Sequence, residues 1–145
     1  MNTRYRDFVM CIAQIEKNIE KIKAYEMKPY GLQGMDVTLF VQLSLKEEGY
    51  SAAELSRECK MDKAAISRSI KKLERKGFVH TNKTYGSKIT LSKEGKEISH
   101  RLETVIDSYI QKAELSDDKE RKHFYEALHS ISSSIEEVTK ELRND

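Results

Sequence analysis

Between residues 51 and 91 the chain carries, in order, a helix start, a turn, a second helix start, a glycine stop and a segment of period two. That order leaves few folds open. Ser51 with Glu54 three residues on has the form of a capping box. Ala52 and Leu55 are expected to face inward on the short helix that follows, with Cys59 and Met61 around the next turn. Asp62 suits an N-cap. The helix it opens runs to about Lys76, with Ile66, Ile70 and Leu73 on one face at i, i+4 and i+7. Gly77 stands where a left-handed C-cap needs glycine. Residues 78–83 and 88–91 are β-type, and Tyr85-Gly86-Ser87 supplies the turn of a hairpin.

Long helices flank this segment. Residues 3–27 form the first, where Phe8, Ile12, Ile15, Ile19 and Ile22 recur at alternating spacings of four and three, a heptad seam. Pro29 and Gly31 end it. Asp36 is expected to cap a second helix that buries Val37, Phe40, Val41 and Leu45, and Gly49-Tyr50 to form a turn. After Ser92 a long helix carries Ile98, Leu102, Val105 and Tyr109. Asp117 or Asp118 caps the last, on which Phe124, Leu128, Ile131, Ile135, Val138 and Leu142 keep heptad spacing. The expected class is mainly α with a small β-hairpin, in one domain of 145 residues. Its central lobe spans 35–92, and 1–28 with 93–145 make the second lobe.

Composition narrows the chemistry. Gly and Pro total seven residues and 34% are charged, which favours a helix-rich soluble chain over a sandwich or a disordered tail. No apolar run reaches 18 residues, so no membrane span is expected, and the N-terminal stretch reads as a mature helix rather than a signal peptide. Cys11 and Cys59 lie far apart, as suits free thiols in a reducing cytoplasm. His80, His100, His123 and His129 are scattered at spacings that suit no metal, and no nucleophile, phosphate loop or acid pair indicates catalysis or a cofactor.

Charge is uneven. In residues 51–91 ten Lys/Arg face four acids, a local net of +6 on a chain whose total is +2. Residues 112–145 hold six bases and nine acids. A basic lobe on a near-neutral chain is the footprint of a phosphate-binding surface. The two helices and turn read as a helix-turn-helix, whose second helix lies in the major groove of a duplex. Its start (Ala64, Ala65, Ser67, Ser69) is small enough to approach the groove floor. Arg68 can reach guanine in a bidentate pair, helped by Ser67, Lys63 and Ala65. Lys71, Lys72, Arg75, Lys83 and Lys88 are assigned to the phosphate backbone. Taken alone, the KKLERK run reads equally as a solvated helix face.

The stretch ELSRECKMDKAAISRSIKKLERKGFVHTNK, with ITLSKEGKEI after it, resembles the winged helix-turn-helix of the MarR family of transcription regulators. Ser67-Arg68 match that family's polar-Arg pair, and Leu91-Ser92-Lys93-Glu94-Gly95 its exit from the wing. The wing tip departs from the pattern: Lys83-Thr84-Tyr85-Gly86-Ser87-Lys88 is short and has no Asp or Arg. Lys88 is left to stand in for the Arg without its planar fork. The resemblance implies a homodimer whose first and last helices interlock, a repressor responsive to an effector, and a pseudo-palindromic operator. Phe8, Ile12, Ile15, Ile19, Phe124, Leu128, Ile131, Ile135, Val138 and Leu142 are the dimerisation candidates; the same seams could instead pack within one chain. The resemblance also implies a cleft for small aromatic effectors, with Tyr30, Phe40 and Tyr109 as candidates, residues that read equally as core. Cys11 is a redox candidate by the same resemblance, and by composition an inert buried thiol; Cys59 is expected in the core. The alternative function is a winged-helix protein-interaction module that does not bind DNA.

Overall fold

The structure, a computed structural model, describes residues 3–82 and 87–144. A π-helical stretch, Tyr5–Met10, runs into helix α1, Cys11–Met27, and a 3₁₀ turn, Lys28–Tyr30. Then come α2 (Met35–Ser44), α3 (Ala52–Glu58), α4 (Lys63–Arg75), strands β1 (Val79–Thr81) and β2 (Ile89–Leu91), α5 (Lys93–Ala113) and α6 (Asp118–Asn144). The first helix thus starts as a π-helix, which its heptad spacing did not signal. The chain divides into two compact units, Met1–Val105 and Ile106–Asp145. The division falls inside α5.

In the first unit the core is built from Met27, Leu39, Phe40, Leu55, Ile66, Leu73, Val79 and Leu102, each almost wholly out of water. The stripe on α4 is buried as its spacing predicts, with Ser69 beside it. On α2 the buried side is Val37, Leu39, Phe40 and Leu43. Val41 is half-buried and Leu45 is 67% exposed, so the expected α2 face is wrong in part. Ala52 is exposed, whereas Leu55 is buried. In both helices the stripe drifts because contacts from neighbouring elements, not periodicity alone, choose the buried side.

Strands β1 and β2 pair antiparallel with Val79 opposite Leu91 and Thr81 opposite Ile89. Tyr50, expected in a turn, adds a separate antiparallel bridge to β2: its N–H donates to Ile89 O (3.1 Å) and its carbonyl accepts from Ile89 N (2.7 Å). Gly49 makes this possible, because a Cβ there would collide with the Ile89 carbonyl.

The exit from the hairpin is tied by one serine. The Ser92 N–H donates to Phe78 O (2.9 Å) and its hydroxyl to Gly77 O (2.6 Å), while that hydroxyl accepts the Gly95 N–H (3.1 Å). Ser92 therefore caps α5 and fixes β2 to the residues that end α4. Gly95 faces the Phe78 carbonyl so closely that a Cβ would overlap it. These contacts account for the spacing of Leu91-Ser92-Lys93-Glu94-Gly95.

A polar clamp joins α1 and α5 within the same unit. Arg101 donates to Glu26 Oε2 and to the Tyr30 hydroxyl, each at 3.0 Å. Tyr30 stands edge-on to Phe78 at 6.2 Å between ring centroids, and Phe78 packs on Phe40 at the same separation.

In the second unit Asp117 caps α6 through the Glu120 N–H (2.9 Å). The Tyr125 hydroxyl donates to Glu114 Oε1 at 2.7 Å, which raises the phenol's pKa, and Arg121 pairs with Asp118 and Glu114.

The Ser92–Gly95 arrangement has a direct test. Gly95→Ala forces a methyl against a backbone carbonyl that cannot rotate away, so urea denaturation should show a loss of about 1–3 kcal/mol. A loss indistinguishable from zero would mean that the Phe78 carbonyl is free to move.

Candidate nucleic-acid interface

Local chemistry places α3 and α4. The Ser51 hydroxyl accepts the Glu54 N–H (3.1 Å), and the Glu54 carboxylate accepts the Ser51 N–H (2.7 Å), a complete capping box. Lys60 takes a left-handed φ of 51° in the turn after α3. Across that turn Ser56 donates to Met61 O at 2.6 Å and the Met61 N–H returns to Ser56 O. Asp62 then caps α4, its Oδ1 accepting the Ala65 N–H at 2.7 Å. At the far end the Phe78 N–H reaches Leu73 O and the Gly77 N–H reaches Glu74 O, with Gly77 at φ 78°. That is a Schellman stop, and the turn it makes delivers the chain into β1.

With one stripe of α4 buried, the other sides face out. Lys63, Ser67, Arg68, Lys71 and Arg75 are exposed and Ala65 is half-buried. Among the described residues none of these four cations is paired with a carboxylate. Ala65, Arg68, Ser69, Lys71, Lys72, Glu74 and Arg75 form one wall of an open groove of about 620 Å³, and Gln33 and Met35 at the start of α2 form the other. Unpaired cations along a groove attract anions, and Arg in particular offers a planar donor pair.

Two of the lysines assigned to phosphate have partners within the protein. Lys72 Nζ lies 2.7 Å from Asp36 Oδ2, and Asp36 is fully buried. Asp36 was expected as the cap of α2. It stands inside the first turn of that helix, accepts the Gln33 N–H at 2.9 Å and holds Lys72. Lys88, at the base of β2, lies 3.0 Å from Glu54 Oε2. Lys83 and the wing tip, residues 83–86, lie outside the described residues.

The remaining candidates are dispersed. Phe40 is in the core and Tyr30 is held by Phe78 and Arg101. Tyr109 belongs to the second unit, with Lys112 Nζ 5.9 Å from its ring. Cys11 is exposed, contrary to the expectation of a buried thiol, and lies in a stretch of α1, residues 11–21, that is exposed throughout. Cys59 is half-buried rather than in the core; burial, and then the Glu58 charge, push its thiol pKa up, away from the reactive thiolate. The ten seam residues of α1 and α6 and of the π-helical stretch are all exposed, from Phe8 at 37% to Leu142 at 72%. Among the described residues no group of three His, Cys, Asp or Glu could hold a metal, and no helix is long and apolar enough to cross a membrane.

Comparison with known proteins agrees with this geometry. Residues 27–91 match the family model described as the sugar-specific transcriptional regulator TrmB. The chain is 25% identical over 146 residues to the HTH-type transcriptional regulator BilQ of Clostridioides difficile (strain CD3), covering 94% of this chain and 97% of BilQ. Among solved structures it is similar to a MarR transcriptional regulator from Methanosarcina mazei Go1, with a TM-score of 0.78, 18% identity and coverage of 95% and 94% of the two chains. It is also similar to a MarR protein from Peptoclostridium difficile, with a TM-score of 0.76, 20% identity and coverage of 94% and 89%. The fold is that of the MarR regulators, mainly α with a two-stranded wing, as the sequence resemblance implied. The matched family model and these relatives are described as transcriptional regulators, not as enzymes.

The capping box predicts an acid-dependent stability. The Ser51 N–H, first, and the hydrogen bond from Lys88 hold the Glu54 pKa at about 2, below the ordinary 4.5. A depressed carboxylate pKa stabilises the fold above the ordinary value and ceases to do so as pH falls toward the folded one. Glu54→Gln should therefore be less stable than the parent chain at pH 7. The gap should close between about 4.5 and about 2. Urea midpoints of the two proteins across that range check it, and a gap that stays constant would refute the assignment.

Proposed function

We propose that the chain is a MarR-type transcription regulator that binds double-stranded DNA in a sequence-specific way, as a homodimer on a pseudo-palindromic operator. The observation that carries the reading is the unpaired cationic side of α4, held outward by the burial of Ile66, Ile70 and Leu73. Arg68 stands near the helix start, where a recognition helix meets base edges, and small Ala65 and Ser67 beside it leave room for close approach. Lys71 and Arg75, further along, meet phosphates. Lys63 lies at the first turn of the same helix. Lys83 and Lys88 of the wing are assigned to the phosphate backbone beside the recognition helix.

The dimer is supported by surface. Phe8, Ile12, Ile15 and Ile19 on one helical stretch and Phe124, Leu128, Ile131, Ile135, Val138 and Leu142 on α6 are uncovered in a single chain. Apolar stripes of this extent are rarely left in water, and a second copy covers them. Two copies place two recognition helices about 34 Å apart, one turn of duplex. Repression follows if the operator overlaps a promoter. An effector that alters the spacing of the two copies would then release it. The protein acts in the cytoplasm, where DNA is accessible and its thiols stay reduced.

Selection of bound duplexes from a random pool, followed by mobility shifts, tests the DNA reading. Arg68→Ala should cost about 1–3 kcal/mol of discrimination between the selected site and unrelated duplexes. Lys71→Ala should weaken all duplexes alike and reduce the slope of log K against log salt by about 0.9. Failure to bind any duplex at low salt would point to a protein-interaction module instead. For the dimer, Ile131→Glu with Ile135→Glu should convert the sedimenting species to single chains. A parent protein that already sediments as single chains would end that part of the reading.

A further inference from the structure

We infer that Lys72 is a positioning residue rather than a phosphate contact: its ammonium, paired to the buried Asp36 carboxylate, fixes the rotation of α4 and so the pose in which Arg68 meets base edges. The inference rests on the DNA-binding reading above and departs from it at one residue. Lys72 is a lysine in a basic run on the recognition helix, and by position alone it belongs with Lys71 and Arg75. Its surroundings differ. Its side chain is 24% exposed, and its Nζ lies 2.7 Å from Asp36 Oδ2, on a side chain with no exposure at all.

The carboxylate has little else to compensate it. The Gln33 N–H donates to the same oxygen at 2.9 Å. The other oxygen, Oδ1, is buried with no hydrogen-bond partner among the described residues. One ammonium and one amide, both on Oδ2, are the carboxylate's direct partners, with the N-terminal end of α2 adding a weaker, fixed field. Moving Lys72 to a phosphate would exchange an attraction inside the protein for a screened one at the surface and would strand the carboxylate. The balance keeps Lys72 where it is when DNA arrives. Lys71 and Arg75 have no such obligation.

Position explains the consequence. Arg68 and Lys72 are four residues apart, hence neighbours on one side of α4, and both border the groove whose opposite wall is Gln33 and Met35. The apolar stripe sets which side of α4 faces the core but tolerates small rotations, because dispersion contacts are many and non-directional. An ion pair to a fixed carboxylate is directional. Placed one turn behind Arg68, it removes the freedom that would carry the guanidinium off a base edge.

The test compares Lys72→Met, Asp36→Asn, the double variant Asp36→Asn/Lys72→Met, and Lys71→Met as the phosphate control. Each is measured on the selected duplex and an unrelated one over a range of salt, and each is unfolded by urea without DNA. Lys71→Met should reduce the salt slope by about 0.9 and leave discrimination unchanged. Lys72→Met should leave the slope unchanged and reduce discrimination about tenfold, the size of a misplaced bidentate contact. The double variant, with no buried charge left to strand, should recover most of both stability and discrimination. Two outcomes overturn the inference: a slope reduced by about 0.9 in Lys72→Met with discrimination intact, or a double variant no better than Lys72→Met. If Lys72→Met does not fold, the double variant and Asp36→Asn still decide. Strictly additive urea effects of the two substitutions would refute the clamp. A parent chain that binds no duplex would instead refute the DNA reading, and the base-setting role with it, while the urea cycle reports on the clamp separately.

Discussion

Burial of Ile66, Ile70 and Leu73 along one stripe of α4 governs where every cation on that helix points. A helix of thirteen residues is marginal in water by itself. Each of these side chains contributes about 1.5–3 kcal/mol when taken out of water, enough to hold the helix and to choose its inner side. The outer side follows by elimination, so Arg68, Lys71 and Arg75 are exposed with no carboxylate partner among the described residues. The caps at Asp62 and Gly77 set the length of the helix, and Ser92 ties its end to the start of α5. These features serve one requirement, a cationic helix side with a defined direction.

What could be read from the sequence was short in range. The capping box at Ser51 and Glu54, the Asp62 cap and the Gly77 stop each depend on residues within six positions, and the structure forms all three. The stripe on α4 was equally legible, because thirteen residues show a period clearly. The pairing of Tyr50 with Ile89 was not, since nothing near Gly49 announces a partner almost forty residues away. The same holds for the candidate interface. Lysines at 72 and 88 look like their neighbours in sequence, yet Asp36 and Glu54 are more than thirty residues off. Charge can be counted along a chain, but which charges are already satisfied is a tertiary fact.

The seam residues show the opposite case. Their heptad spacing was plain, but spacing says only that a stripe exists, not what covers it. Packing within the chain and association between chains were both open. In the single chain Phe8, Ile12, Ile15 and Ile19, and the six seam residues on α6, are all exposed. Cys11 lies on that same uncovered stretch, which is why a residue type usually buried is found in water.

The two lysine pairs involve the same functional groups and differ in what breaking them would leave behind. Glu54 sits in the capping box near the surface, and if Lys88 turns away the carboxylate keeps the Ser51 N–H and gains water. Exchange of that pair for a phosphate is close to neutral, as is usual for ion pairs that water can reach. Asp36 has no water to gain, since its side chain is wholly out of contact with solvent. The pair at Lys88 is thus open to exchange with an anion from solvent, whereas the pair at Lys72 is closed on its carboxylate side. A count of lysines on the basic lobe treats them alike; only the burial of the partner carboxylate separates a residue that can meet a phosphate from one that holds the helix in place.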